Sequence, residues 1–522
     1  MRLHKPILVF IFLSICLCAS ALRVNIPYGP ADASSDERKT FSIDFMLDTG
    51  FGVTGINDGL GVTDYQVFFI RTGFSIWQFS MALEFNIRFR IFTMEPEFKT
   101  NDWAVKDNPA ATAFAWIDKI RYLRFGSDTY PIYAATGELP WQTFGTGLLV
   151  KHFNNTSFVP IDRENGFIMR FNGNHLTEWG SRAIPVTASF SIPDLCDPDI
   201  FLMNADADVL RFFRRVKRNF RFNIGTALAM DFNATEANRL SSTDRNYFTS
   251  YRNIQTDGYT TSVIGLSIPV TFSWSFRRIF RFIWKDELAF LWKSGLNDDK
   301  TINTDTATFS LANLAEVEGR FVWLENSGYL LGVNLGFIVT TNDFNVSNFG
   351  SNYQIVRKKQ FDNTNNDLSF IILVGLGFYG FHDNISFSAR AYFDMNHIHI
   401  DETNSVGSYA VAKLEATFTM SDVVVKGLSM DFSFVTAMSH LEAKDSNGGY
   451  FIRSVTRDCR LYFGICYQIY SAKIRMMIGL QSPAWNNDSE YIDPSNEQYN
   501  YNVDKYGADL QKFVGVEVSF VL

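Results

Sequence analysis

Between residues 77 and 92 the chain reads WQFSMALEFNIRFRIF, and its odd positions differ from its even ones. Trp77, Phe79, Met81, Leu83, Phe85, Ile87, Phe89 and Ile91 are apolar, while Gln78, Ser80, Ala82, Glu84, Asn86, Arg88 and Arg90 are polar or small. Successive side chains of a strand point to opposite faces, so a period of two predicts a β-strand with one apolar and one charged face. The pattern returns at 280–292, where Phe280, Phe282, Trp284, Leu288, Phe290 and Trp292 alternate with Arg281, Lys285 and Glu287, interrupted by Ile283 and Asp286. It returns again at 385–395, with Arg390 and Asp394 on the polar parity, and at 430–438. Further strand-like runs lie at 41–54, 64–74, 143–153, 183–192, 220–232, 261–275, 317–340, 366–380, 408–419 and 458–480.

These runs exceed the about five or six residues usual in soluble sheets. Polar segments rich in Asn, Asp, Gly and Ser separate them, among them 296–306, 342–352, 444–450 and 482–502. If the apolar faces looked inward, the chain would be a large soluble sandwich or barrel. If they look outward, lipid solvates them and the charged faces line a lumen. Backbone groups in lipid cannot go unpaired, so spanning strands require a closed barrel. Trp77, Trp284 and Trp292 near run ends then suit interfacial aromatic girdles. The outward alternative predicts an all-β fold, a closed antiparallel transmembrane β-barrel. At about 25 residues per strand and connection, it holds about 18 to 20 strands.

One segment breaks the rhythm. NADADVLRFFRRVKRNF at 204–220 opens with Asp206 and Asp208 and carries Arg211, Arg214, Arg215, Lys217 and Arg218 toward its end. Val209, Phe212, Phe213 and Val216 fall at helical spacing, so a short amphipathic helix near 205–218, with charges matched to its dipole, is expected. Such a helix could constrict a lumen with Arg211, Arg214, Arg215 and Arg218, or lie in a loop at the membrane interface.

Composition supports the strand reading. The 522 residues include 51 Phe, 21 Tyr and 10 Trp, while charged residues make up 20%. A net charge of -8 argues against nucleic acid as partner. Arg2, His4 and Lys5 precede the apolar run ILVFIFLSICLCA, and Ala19-Ser20-Ala21 has the small-x-small form of a cleavage site. Residues 1–21 are therefore expected to be a signal peptide cleaved after Ala21, with 22–40 a periplasmic segment and 41–522 the barrel. Beyond the leader stand Cys196, Cys459 and Cys466, an odd number that rules out a disulfide-stapled scaffold. The longest apolar stretch, FIILVGLGFYGF at 370–381, is far short of the about 20 residues a spanning helix needs.

Enzyme and metal motifs are weak. G-x-G-x-x-G occurs at Gly50, Gly52, Gly55 and at Gly375, Gly377, Gly380, but neither copy is followed by a helix pattern, so turn or bend glycines are expected. His397 and His399 share a strand face with Asp401, and nothing local completes a metal site. No nucleophile elbow is present, so no catalytic residue and no cofactor are expected.

Three resemblances bear on the fold. FVGVEVSFVL, with Val514, Val516, Val518, Phe520 and Leu522 on one face, resembles the C-terminal assembly signal of bacterial outer-membrane β-barrels. Asn108-Pro109-Ala110 resembles a motif of the long-chain fatty-acid transporter barrels, where it belongs to an N-terminal plug; here it follows strands and reads as a loop turn. The segment IRYLRFGSDTYPIYAATGELPWQTFGTGLLVKHFNN at 120–155, with RENGF at 163–167, is similar to poorly characterised barrel proteins of the spirochaete type. The resemblance aligns Gly126, Gly137, Gly145, Gly147 and Gly166 with glycines that end or bend strands, including a Gly-x-Gly strand. It implies a porin-like barrel and assigns no activity.

The expected function is an outer-membrane channel for passive diffusion of small polar solutes. Glu84, Arg88, Arg90, Arg281, Lys285, Glu287, Arg390 and Asp394 are its expected lumen-lining residues. Outer-membrane lipids and the barrel assembly machinery are the expected partners. A hydrophobic-compound transporter of the fatty-acid type and a surface adhesin or structural anchor remain as alternatives.

Overall fold

In the computed structural model of the chain, the described residues are 43–57, 62–90, 97–98, 100, 103–104, 109–117, 119–127, 130–139, 141–155, 165–179, 181–195, 198–213, 219–232, 260–276, 279–296, 302–323, 329–341, 344, 346–347, 349–350, 369–380, 384–394, 411–444, 450–469, 472–481 and 511–521. The expected leader 1–21, the segment 22–40, His397, His399, Asp401 and Leu522 lie outside them.

Twenty strands form the wall. They are β1 Ile43–Asn57, β2 Val62–Ile76, β3 Phe79–Arg90, β4 Ile120–Phe125, β5 Ile132–Gly137, β6 Gly166–Asn172, β7 Val186–Ile192, β8 Ile200–Asp208, β9 Phe220–Asp231 and β10 Thr260–Phe276. They continue as β11 Phe280–Leu296, β12 Ile302–Trp323, β13 Tyr329–Thr340, β14 Ser369–Gly380, β15 Ile385–Asp394, β16 Val411–Ser421, β17 Leu428–Lys444, β18 Tyr450–Ile469, β19 Ala472–Gln481 and β20 Gln511–Val521. Each strand pairs antiparallel with the next, and β20 returns to β1 in a register running from Met46↔Val521 to Thr54↔Phe513. Closure leaves the ring no open edge. A two-residue ribbon, Glu97–Phe98, adds to the far end of β3.

The two ends of the ring differ. At the end where β1 begins, the two-residue turn Trp77–Gln78 joins β2 to β3, and only three residues separate β10 from β11 and two separate β18 from β19 in sequence. Trp77 takes a positive φ of 54° there, matching the twist of a tight hairpin. At the other end successive strands stand farther apart in sequence: 29 residues separate β3 from β4, 28 separate β5 from β6, 28 separate β9 from β10 and 29 separate β19 from β20. Strand length also varies around the ring. β10 and β11 have 17 residues and β12 has 22, whereas β4 and β5 have six and β6 and β7 seven.

Alternation in the sequence becomes inside and outside in the fold. On β3, Ser80, Ala82, Glu84, Asn86 and Arg88 are buried toward the interior, while Phe79, Met81, Leu83, Phe85 and Ile87 face out. On β20, Phe513, Gly515, Glu517 and Ser519 are buried and Val514 and Val516 are exposed. Both G-x-G-x-x-G runs lie in strands, β1 and β14. A side chain at Gly52 would meet the Phe513 ring at 2.7 Å, and one at Gly50 would overlap the Phe69 ring.

Several expectations are corrected. The run at 143–153 is not a wall strand: it belongs to the β5–β6 connection and folds into the interior. The runs at 317–340 and 458–480 are each hairpins rather than single strands. Helix near 205–218 shrinks to one turn, α2 Val209–Phe212, because residues 200–208 are β8. Asn204, Asp206 and Asp208 take the inward parity of β8 opposite β9; Asp206 is thus a strand residue, while Asp208 both ends β8 and stands as the N-cap of α2.

The described residues hold one longer helix, α1 Pro109–Ile117, in the β3–β4 connection. Pro109 opens it, so the Asn-Pro-Ala segment leads into a helix rather than a loop turn; proline fits a first helical position because the lost N–H had no partner there. Trp103 stacks on the outward ring of Phe85 at 6.2 Å and meets Trp116 edge-on at 5.8 Å. This connection therefore lies against the outside of the wall.

Candidate functional site: the barrel interior

Ionic side chains hold the seam where the first and last strands meet. Arg71 of β2 is inward and buried, with Nη1 2.8 Å from Glu517 of β20 and Nε bonded to Glu84 of β3. Arg121 reaches Glu84 at 3.5 Å and Glu138 at 3.1 Å. It projects inward because the β3–β4 register slips between Ala82 and Leu83. Asp48 sits directly opposite Arg71 in the β1–β2 register. One guanidinium thus serves carboxylates from two strands on either side of the closure.

The opposite side of the interior is filled by chain. Residues 141–155 cross it from β7 to β16. Gln142 Oε1 accepts from the Ser191 hydroxyl at 2.8 Å. The Thr146 N–H donates to Glu287 Oε2 at 2.8 Å, and the Thr146 hydroxyl donates to the same oxygen. Lys151 donates to the Tyr392 hydroxyl at 2.7 Å and to Glu415. A second inward segment joins it: Phe349 N donates to Leu149 O at 3.0 Å, and Ser347 N donates to Leu148 O at 2.7 Å.

Phe144, Leu148, Leu149, Val150, Phe153, Phe344 and Phe349 pack together, each 5% exposed or less. The wall behind them, Ala227, Ala229, Ala289 and Ala312, is small, and a side chain at Gly265 would come within 2.6 Å of Leu149 Cδ1. Small inward residues leave the depth that the inserted chain occupies.

Asn155 fixes the root of this loop. Its Oδ1 accepts from Leu139 N at 2.9 Å, and its Nδ2 donates to Gly137 O and Pro193 O, each at 3.0 Å. Gly145 and Gly147 have positive φ of 57° and 89°, so the Gly-x-Gly that the resemblance gave to a strand instead turns the loop tip. His152 lies beside Trp141, ring centroids 5.2 Å apart. Burial, reinforced by the adjacent Lys151 ammonium, lowers its imidazole to about 4.

Charged groups gather again on β11–β16. Lys285 reaches Glu316 at 3.0 Å and Glu318 at 2.9 Å; Arg390 lies 3.6 Å from Glu316, and Asn334 donates to Glu316 at 3.0 Å. Glu415 also takes Lys413 at 2.9 Å.

The residues expected to line a lumen fall into separate groups. Glu84 belongs to the seam cluster. Arg88 is inward and buried on β3, and the Arg90 guanidinium lies 5.9 Å from the Tyr65 ring centroid. Arg281 donates to the Ser273 hydroxyl at 3.4 Å, and Lys285 and Arg390 share Glu316. Glu287 faces in but is sealed beneath the inward loop, at 0% exposure. Asp394 ends β15, and its side chain lies outside the described residues. Arg211 sits at the short-turn end, 3.2 Å from Asp208 and 3.1 Å from Asn174, while Arg214, Arg215 and Arg218 lie outside the described residues. Sequence reading missed Arg71, Arg121, Glu316, Lys151 and Glu415. All but Lys151 sit on wall strands; parity within the strand was the available signal for Arg71, Glu316 and Glu415, whereas Arg121 is turned inward by the register slip on β4, which strand parity does not show.

No family model and no curated protein matches the chain, so the spirochaete-type resemblance rests on the glycine-bearing segments alone. Among solved structures it is similar to Acinetobacter baumannii OccAB4, at 10% identity over 93% of this chain and 99% of that one, TM-score 0.34. It is also similar to outer membrane protein opdK from Pseudomonas aeruginosa, at 9% identity over 92% and 98%, TM-score 0.32. A third is Wzi, a carbohydrate-binding outer-membrane barrel involved in group 1 capsule assembly in Escherichia coli, at 11% identity over 91% and 84%, TM-score 0.30. At such scores the architecture rests on the strand pairing described above.

Proposed function

We propose that the chain is an outer-membrane channel for small polar solutes, its bore narrowed by the inserted residues 141–155 together with Phe344, Val346, Ser347, Phe349 and Gly350. The observation that carries this is the sorting of side chains by a closed ring. Apolar rows face out, where hydrocarbon would solvate them, and ionic clusters face in, where water would. The end with short turns then faces the periplasm and the end with long connections faces outside, the usual polarity of such barrels. Mixed charge around Lys285, Arg390, Glu316 and Glu318 sets a transverse field that favours polar over apolar solutes. The apolar cluster inside the ring is already packed against the wall, so it offers no free surface to a hydrophobic cargo.

Purified protein in a planar bilayer tests the proposal. Discrete conductance steps are expected, enlarged in a variant whose residues 142–153 are replaced by a short glycine-serine link. A folded, heat-modifiable barrel that stays silent in both forms would refute the channel and favour an adhesin or anchor.

A further inference from the structure

The outward rows are mostly apolar with scattered uncharged polar residues, and on β11 a charged residue breaks one. That row runs Phe280, Phe282, Trp284, Asp286, Leu288, Phe290, Trp292. Asp286 faces out because both its neighbours face in: Lys285 pairs with Glu316, and Glu287 lies under the inserted loop. On β12, Asn313 also faces out, its neighbours Ala312 and Leu314 being buried inside. Asn313 Nδ2 donates to Asp286 Oδ1 at 3.3 Å, and both residues are partly exposed. Among strand residues whose side chains are described, Asp286 is the charged group that interrupts an outward apolar row, with three apolar residues on either side along the strand.

The pair is incomplete on chemical grounds. A carboxylate accepts several hydrogen bonds, and a carboxamide has a second N–H and a carbonyl oxygen to offer. Acyl chains supply neither donor nor acceptor, so a carboxylate at that depth is costly unless another protein covers it. The cover must place donors and acceptors at this height and surround them with apolar side chains. A second copy meets both needs. In a two-fold contact the same patch faces itself, and the free Asn313 N–H of one copy meets the Asp286 carboxylate of the other.

The size is adequate. Four strands at about 4.8 Å spacing and about 40 Å of apolar row give a face of about 800 Å², the usual contribution per partner to a stable interface. This face is also stiffened from behind, since Gly265, Ala289 and Ala312 on its inner side pack against the inserted loop.

We propose that the outward face of β10–β13, centred on Asp286 and Asn313, is where a second copy of this chain packs within the membrane. The inference rests on the membrane reading above. Ala315→Cys, opposite Asp286 in register, and Val516→Cys on β20 are compared in intact membranes under copper-phenanthroline or a short bis-maleimide. Linked dimer is expected for Ala315→Cys and not for Val516→Cys. Adding Asp286→Leu and Asn313→Leu should cut the linked fraction at least fivefold while heat-modifiability persists. The proposal is overturned if Ala315→Cys stays monomeric, links only to some other protein, links no more than Val516→Cys, or is indifferent to the leucine pair. Extraction without detergent would instead overturn the membrane reading itself.

Discussion

Replacing Glu287 by Leu separates two forces that hold the inserted loop. Glu287 Oε2 accepts from the Thr146 amide at 2.8 Å, from its hydroxyl, and at 3.4 Å from the Leu148 amide. Hydrogen bonds to a charged group contribute about 1.5–3 kcal/mol each, so losing the two good ones weakens the tip by about 3–6 kcal/mol. Burial of Leu148, Leu149, Val150 and Phe153 contributes about 1.5–3 kcal/mol per side chain, or about 6–12 kcal/mol together. The apolar term is the larger. Glu287→Leu should therefore loosen residues 144–148 without evicting the loop. Hydrogen exchange read by mass spectrometry should show the Thr146 and Leu148 amides losing protection by at least a hundredfold, while peptides across Val150–Asn155 stay protected. In a planar bilayer the variant should flicker between the native conductance and brief larger steps. Unchanged protection at Thr146 would refute Glu287 as the anchor. A steady conductance equal to that of the loop-replaced variant would refute the claim that apolar packing dominates.

Four further outcomes are expected. Arg71→Met takes the guanidinium from the buried Glu517 carboxylate and leaves Glu84 to Arg121 and Asn86, and should destabilise the ring by about 3–5 kcal/mol, seen as a lower temperature for the heat-modifiable gel shift. Asn155→Ala removes three buried hydrogen bonds and should raise single-channel noise by freeing the loop root, without shifting the gel transition of the wall. Gly265→Val drives a side chain into Leu149 and should enlarge the conductance more than Gly332→Val, whose nearest contact is 3.8 Å away. His152 is held near 4 with the loop inserted, against about 6.5 in water, so protons favour the withdrawn loop. The stabilisation of the inserted state is complete above about pH 6.5 and is lost as pH falls toward 4; wild type should show a rise in conductance over that window that His152→Gln reduces.

Much of the wall was legible because period two is a direct consequence of which solvent each face meets. β3, β11, β15 and β20 follow from their own letters, and so does the inward placement of Glu84, Lys285 and Arg390. The inserted loop was not legible as such. Phe144, Leu148 and Val150 share a parity because one side of the loop packs on the wall, which imitates a spanning strand. Two features distinguish it: Gly145 and Gly147 bracket a tip with positive φ, and the stretch of inward wall on β9–β12 that it packs against carries small residues. A wall lined with Ala227, Ala229, Gly265, Ala289 and Ala312 implies that chain fills the space before it. At 200–212, aspartates before an apolar-basic run satisfied the rules for a helix start. Pairing with β9 overrode them through Phe201, Met203, Ala205 and Ala207 on the outward face. The seam cluster needs Glu517 beside Arg71, a contact between residues 446 apart that local pattern cannot supply.

The short strands β4–β7 have a consequence for the surrounding bilayer. Six residues extend about 20 Å, and at the tilt usual for barrels they rise only about 15 Å, against an apolar band of about 25 Å. In the proposed membrane setting, acyl chains beside this fifth of the ring must thin or splay to meet it, whereas those beside β10–β12 need not. The belt of lipid would then be lopsided, with the tryptophans at 103 and 116, held outside the wall next to the dip, standing where headgroups would descend to meet them.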